Sequence, residues 1–176
     1  MQLAYHHVLP LFQELNTTTQ PLLSRGEAHI TVISPPEYLQ LAKANLTIHD
    51  INAIALNHRI QSSQFHIVCL GKVTIVLEDR EHVVYQIIMD SPQLIRLREE
   101  IFRLYYDRGG NVALFDPHNF YPHITLGFTV RDLHPEQGVF KGYNESAMYG
   151  GHCAHGGGTI LRFKNQKQGV SFMKNS

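Results

Sequence analysis

Two short segments of the chain repeat one another: Ala28-His29-Ile30-Thr31-Val32-Ile33 and Pro122-His123-Ile124-Thr125-Leu126-Gly127. Both lie in β-branched, apolar runs, and both are predicted as strands. Side chains along a strand alternate between two faces. His29 and Thr31 therefore point one way while Ala28, Ile30 and Val32 point the other. His123 and Thr125 separate in the same manner from Ile124 and Leu126. Each strand thus offers one imidazole and one hydroxyl on a single face and an apolar face to a core. Two such strands related by a pseudo-twofold axis place the histidines on either side of a shared cleft.

The surrounding sequence alternates helix and strand signals. Leu3, Val8, Leu11, Phe12 and Leu15 have roughly helical spacing, with Pro10 as a kink or restart point. After the first strand, Ser34-Pro35-Pro36 supplies a cap and first-turn prolines for a helix over about 37–44. Thr47 and Asp50 form a variant capping box for a second short helix ending near Asn57. Three strands are expected between Phe65 and Met89, the last two joined by a hairpin at the charged residues 78–81. Ser91-Pro92 then opens a helix with Leu94, Leu97, Ile101 and Leu104 as its apolar stripe, stopped by Gly109-Gly110. The second repeat lies in a strand predicted over 120–130. Residues 1–142 read as one domain of two pseudo-symmetric lobes. Residues 143–176 read as a Gly- and His-containing extension with a last strand at 159–163 and a mobile tail.

Composition narrows the partners. The 176 residues carry 15 basic and 15 acidic side chains, so no broad positive field exists to hold a long polyanion such as duplex DNA. A small or terminal phosphate ester fits better. No apolar stretch approaches the roughly 18 residues a bilayer span needs, so no membrane partner is expected. Cys69 and Cys153 provide no disulfide framework, which suits a reducing cytoplasmic or nuclear setting.

Paired histidines suit in-line displacement at phosphorus, where a base activates the attacking oxygen and an acid protonates the leaving one. Two threonine hydroxyls are placed to donate to the non-bridging oxygens. His29, His123, Thr31 and Thr125 are therefore the candidate catalytic residues. Tyr121 either stacks on a base or packs against its neighbours. His152, Cys153 and His155 offer an alternative zinc site, but no fourth ligand is evident. No Asp/Glu cluster suited to magnesium occurs, and no metal or cofactor is expected. The remaining histidines read as surface, capping or packing residues.

The paired His-Ile-Thr segments, the second preceded by Phe120-Tyr121-Pro122, resemble the two His-x-Thr/Ser motifs of the 2H phosphoesterase superfamily. That superfamily includes RNA 2′,3′-cyclic phosphodiesterases and the corresponding domains of some tRNA ligases. The resemblance implies an α+β, bilobal fold with antiparallel sheets around a central cleft and flanking helices. It also implies a metal-independent hydrolase acting on the 2′,3′-cyclic phosphate of a nucleotide or RNA end, as in RNA repair or tRNA splicing, with a 2′-phosphate product. A monomer is expected. Other specificities on the same constellation include 2′,5′-oligoadenylate, ADP-ribose cyclic phosphate and RNA 3′ ends, and a non-catalytic RNA-end binding module is the rival class. Two departures from the family pattern stand out: Met1 to Ala4 is short for the usual opening strand, and Phe128 stands where many relatives carry a substrate-contacting Arg or Tyr. A phenyl ring at that place is suited to stacking on a base, not to holding a phosphate.

Overall fold

The structure is a computed structural model. It describes residues 1–133 and the backbone of three later strands, 152–153, 162–166 and 169–173. The elements run β1 (Gln2–Leu3), α1 (Leu9–Leu15), β2 (Ala28–His29), α2 (Pro35–Lys43), α3 (Ile48–Asn57), β3 (His66–Leu77), β4 (Arg80–Asp90), α4 (Pro92–Asp107), β5 (His123–Phe128), β6 (His152–Cys153), β7 (Arg162–Gln166) and β8 (Gly169–Met173). The fold is α+β with antiparallel sheets, as expected. Among the described residues no helix is long and apolar enough to cross a membrane.

The chain divides into two compact units. One comprises Met1, Thr31–Phe65 and Ser91–Phe120; the other comprises Gln2–Ile30, His66–Asp90 and Tyr121–Ser176. The division follows secondary structure, with α2, α3 and α4 in the first and every strand in the second.

In the helical unit, both caps read from sequence form. Ser34 accepts from the Glu37 backbone N–H while the Glu37 carboxylate accepts from the Ser34 N–H, and Thr47 and Asp50 do the same for α3. Each reciprocal pair satisfies two backbone donors that a helix start leaves open. In α4 the buried face is Leu94, Leu97, Arg98, Ile101 and Tyr105, so Tyr105 takes the place expected for Leu104. The helical period of 3.6 carries the stripe from Ile101 to the next position but three. Gly109, at φ 78°, reverses the chain after α4, and a Cβ on Gly110 would stand 2.4 Å from the Tyr105 ring. Glycine is the residue that both positions admit.

Arg98 is the unexpected member of that face, with 1% of its surface exposed. Its guanidinium donates to the carbonyls of Val32 (2.6 Å), Pro117 (2.9 Å) and Asp116 (3.1 Å) and pairs with Glu37 at 2.7 Å. The rings of Phe115 and Phe120 lie 4.9 and 4.7 Å from its central carbon. A buried charge is tolerated when its donors are satisfied and its charge paired, and here both conditions hold.

In the other unit the main sheet has the order β5-β4-β3-β6, and β1 pairs with β2. Three expectations are corrected. Residues 66–77 form one continuous strand, because the Gly71-Lys72 break carries no turn; it stays paired with Gln86 and Tyr85. The hairpin forms as expected, its turn residues Glu78 and Asp79 both at positive φ. At the N-terminus, Gln2 and Leu3 form a strand in place of continuous helix, pairing with His29 and Ala28, and Pro10 falls in the first turn of α1. Cys69 is disulfide-bonded, against the expectation of no disulfide. Spacing alone does not reveal that β6 lies on the edge of β3, with Gly71 opposite Cys153. Most of the 143–176 extension lies outside the described residues; its backbone strands β7 and β8 pair antiparallel, beginning three residues later than the expected 159–163 strand.

Candidate active site

Both histidines fall in the strand-containing unit. His29 ends β2, and β2 runs close alongside β5, which begins at His123, without sharing a ladder with it. The two tripeptides meet different surroundings. β5 extends over six residues and pairs with β4, whereas the β2 ladder stops at His29. Thr31 is thus not a strand residue, correcting the expected strand over 28–33, and it is exposed at the start of the helical unit. The burial alternation still holds, with Ala28, Ile30 and Val32 inside.

Along β5, His123 pairs with Ile88 and Thr125 with Gln86. The register then slips, so Leu126 is extra and Phe128 pairs with Val84. This bulge changes the phase of alternation. Phe128 consequently shares the face of His123 and Thr125, and its half-buried ring packs against Val73, Val84 and Leu133. Gly127 sits where a Cβ would meet the Phe12 ring at 3.0 Å and the Leu23 carbonyl at 3.1 Å, so its missing side chain lets α1 and the Leu23 segment approach β5.

Each imidazole has an acceptor at its Nδ1. His123 Nδ1 lies 2.8 Å from the Tyr121 carbonyl oxygen, which has no proton to give. Nδ1 therefore donates. His29 Nδ1 lies 3.4 Å from Glu27 Oε1, an ion pair whenever that ring is charged. On each ring Nε2 is the other nitrogen. Thr125 donates its hydroxyl proton to Asp132 Oδ2 at 3.2 Å, and the same oxygen lies 3.4 Å from Arg25 Nη2. Asp132 Oδ1 accepts from the Leu133 N–H. Gln86, opposite Thr125, is fully buried, and among the described residues neither its amide oxygen nor its amide nitrogen has a hydrogen-bond partner.

Tyr121, a candidate from sequence, is half-buried and contributes its carbonyl to His123. Glu27, Asp132 and Arg25 were not singled out by sequence. Glu27 and Arg25 stand two and four residues before His29, and a search for charges beside the motif finds them. Asp132 comes to Thr125 only through the bulge and the turn after β5. The zinc alternative rests on His152, Cys153 and His155, whose side chains lie outside the described residues.

Two His-x-Thr segments whose histidines lie on adjoining strands of one unit are the mark of a phosphoesterase of the paired-histidine class. Comparison with protein families matches residues 1–134 to the Swiss Army Knife 2H phosphoesterase domain, and the chain belongs to that family. Its class of activity is phosphoester hydrolysis. No curated protein and no solved structure matches the chain.

Proposed function

We propose that this phosphoesterase hydrolyses the 2′,3′-cyclic phosphate of a nucleotide or RNA end, with His29 and His123 as its acid and base. The observation that carries the reading is that the histidines belong to neighbouring strands of one unit, each with Nδ1 against an acceptor. Both Nε2 atoms are then the proton-transferring ones.

The partners divide the roles. A carbonyl faces His123, and a neutral ring held by a carbonyl has an Nε2 lone pair ready to take a proton. A carboxylate faces His29, which suits the ring that holds two protons before transfer. His123 Nε2 removes a proton from water as its oxygen bonds to phosphorus. The P–O3′ bond breaks, and His29 Nε2 protonates the departing O3′. The product is a 2′-phosphate with a free 3′-hydroxyl, and solvent returns both rings to their starting states. The balanced charge of the chain supports a small or terminal phosphate as substrate.

The test is incubation of the full chain, with EDTA present, with 2′,3′-cyclic nucleotides and a short RNA ending in a cyclic phosphate, resolving 2′- from 3′-phosphate. Turnover to the 2′-phosphate is expected. Cleavage of 2′,5′-oligoadenylate alone would transfer the same chemistry to another substrate, and binding without turnover would establish a recognition module instead. The rate should follow a bell-shaped pH profile with apparent pKa values belonging to the pair. Replacing His123 should flatten the acidic limb and replacing His29 the basic one; the reverse pattern would exchange the roles.

A further inference from the structure

On β4, Gln86 stands directly across the ladder from Thr125 and Ile88 from His123, so the Gln86 side chain lies on the face that carries the second motif. Thr125 is half-buried, whereas Gln86 beside it is 0% exposed. Among the described residues neither its amide oxygen nor its amide nitrogen has a hydrogen-bond partner. A carboxamide has two donor protons and an acceptor oxygen, and burying them unpaired destabilises a fold where an apolar side chain of the same shape would not. The room for it comes from β3. The residue opposite Gln86 on that side is Gly71, where a Cβ would stand 3.2 Å from Gln86 Cγ and 2.9 Å from Ile88 Cδ1. A long polar side chain is thus accommodated although the next rung on this face, Val73 with Val84, is apolar core.

We propose that Gln86 is a positioning residue for Thr125, donating its amide N–H to the threonine oxygen when that hydroxyl turns its proton from Asp132 to a non-bridging oxygen of the phosphate. This rests on the phosphodiesterase reading above. In the free protein the Thr125 proton is directed at Asp132 Oδ2, at 3.2 Å. A hydroxyl has one proton and two lone pairs, so a rotated Thr125 that donates to phosphate is held in its new orientation by a donor on its acceptor side. Gln86 is the side chain directly across the ladder. Cβ atoms of opposed residues lie roughly 4.5–5.5 Å apart, a gap that the three rotatable bonds of a glutamine span with the backbone fixed. Among the described residues the Gln86 amide nitrogen gives up no other bond to make this one. The cost of burying the carboxamide is carried by the free protein and relieved in the complex, so the interaction favours the bound, reacting state. Gln86 lies beneath the ligand and acts on it only through Thr125.

The test uses the full-length chain with Gln86→Met and Gln86→Leu, each also combined with Thr125→Val, which removes the hydroxyl and keeps the branched shape. Turnover of a 2′,3′-cyclic nucleotide is measured together with binding of adenosine 2′-monophosphate by calorimetry and thermal unfolding of the free protein. Gln86→Met should lower kcat/KM and the affinity about 3- to 30-fold, the loss of one hydrogen bond in the complex, while raising Tm by about 2–8 °C because an unpaired carboxamide is gone. In the Thr125→Val background the same substitution should change rate and affinity by less than about twofold. The side-chain amide resonances of Gln86 should shift when adenosine 2′-monophosphate is added to the wild type and stay in place in Thr125→Val. A carboxamide that only supports the fold gives the opposite sign: Tm falls in both Gln86 variants, or neither folds, and either result overturns the proposal. Wild-type kcat/KM in Gln86→Met overturns it too, as does an equal loss with and without the Thr125 hydroxyl or a wild type that does not bind adenosine 2′-monophosphate. The two readings fail separately. Coupled losses of affinity with full turnover in His29→Ala sink the histidine mechanism and leave Gln86; inactive histidine variants with wild-type kinetics in Gln86→Met do the opposite.

Discussion

His29-Ile30-Thr31 and His123-Ile124-Thr125 are the same tripeptide in two settings. The second lies inside a six-residue strand paired with β4, and its threonine is bonded to a nearly buried aspartate. The first ends a two-residue strand, and its threonine is exposed beyond the ladder. Local preference for extended backbone is equal in the two, so the difference comes from what lies alongside. β5 has a long partner in β4; among the described residues the β2 ladder is formed with Gln2 and Leu3 alone. A motif repeated in sequence thus has an acceptor at Nδ1 of both histidines and unmatched support at the threonines.

The largest effect expected is at the histidines, where the settings differ least. His29→Ala and His123→Ala should each lower turnover by about 10² to 10⁴, the contribution of one general acid or base, with the fold kept. The double variant should lose far less than the two losses combined, because one proton path is being broken twice. Near wild-type turnover in either single variant, measured on the best substrate, breaks the pairing.

Next in size is Arg98→Met. Arg98 bonds the Val32 carbonyl just after the first motif and the Asp116 and Pro117 carbonyls ahead of the second, so it supports the helical-unit ends of both. Removing it takes the charged partner from Glu37 Oε1 and a donor from three carbonyls, and a loss of about 3–5 kcal/mol is expected in urea unfolding. Wild-type stability in that variant would mean the two motifs do not share this support.

The threonines should separate more modestly. Thr125→Ala takes one donor from the largely covered Asp132 carboxylate and should cost about 1–3 kcal/mol, whereas Thr31→Ala, exposed and outside any ladder, should stay within about 0.5 kcal/mol. Equal losses in parallel denaturation curves would remove the asymmetry on which the comparison rests.

The smallest effect keeps the pH comparison of the histidines clean. The Arg108 side chain, then the Thr47 backbone and hydroxyl, hydrogen-bond the Asp50 carboxylate and hold it below the ordinary value of 3.8. A carboxylate depressed by folding contributes stability that is complete above its unfolded value and fades as pH falls through the folded one. Its loss therefore begins below about pH 4, under the range in which imidazoles titrate. Asp50→Asn should flatten thermal stability in that acid window and leave the rate profile above pH 5 unchanged; a shifted rate profile would show that the acidic limb reports unfolding.

Much of the local structure was legible because it depends on neighbours in sequence. The Ser34/Glu37 and Thr47/Asp50 caps, the Ser91 start of α4 and its glycine stop are all settled within a few residues. The family and both candidate histidines were legible too, from the repeat. What sequence did not show is long-range: the unbroken β3, the bulge at Leu126 that turns Phe128 to the histidine face, the disulfide at Cys69, and the Asp132 oxygen shared by Thr125 and Arg25. Thr125 and Asp132 come together across a bulge and a turn, and Arg25 reaches them from 107 positions away. Alternation along a strand says which way a side chain points while the register holds, but not where the register slips or what waits on the other side. The sequence by itself determined which imidazoles stand in the two repeated tripeptides, because the repeat is a matter of local composition. The tertiary structure alone decided which of them are held, by which acceptors, and that the second threonine gives its proton to an aspartate, because those outcomes depend on which distant strands lie side by side.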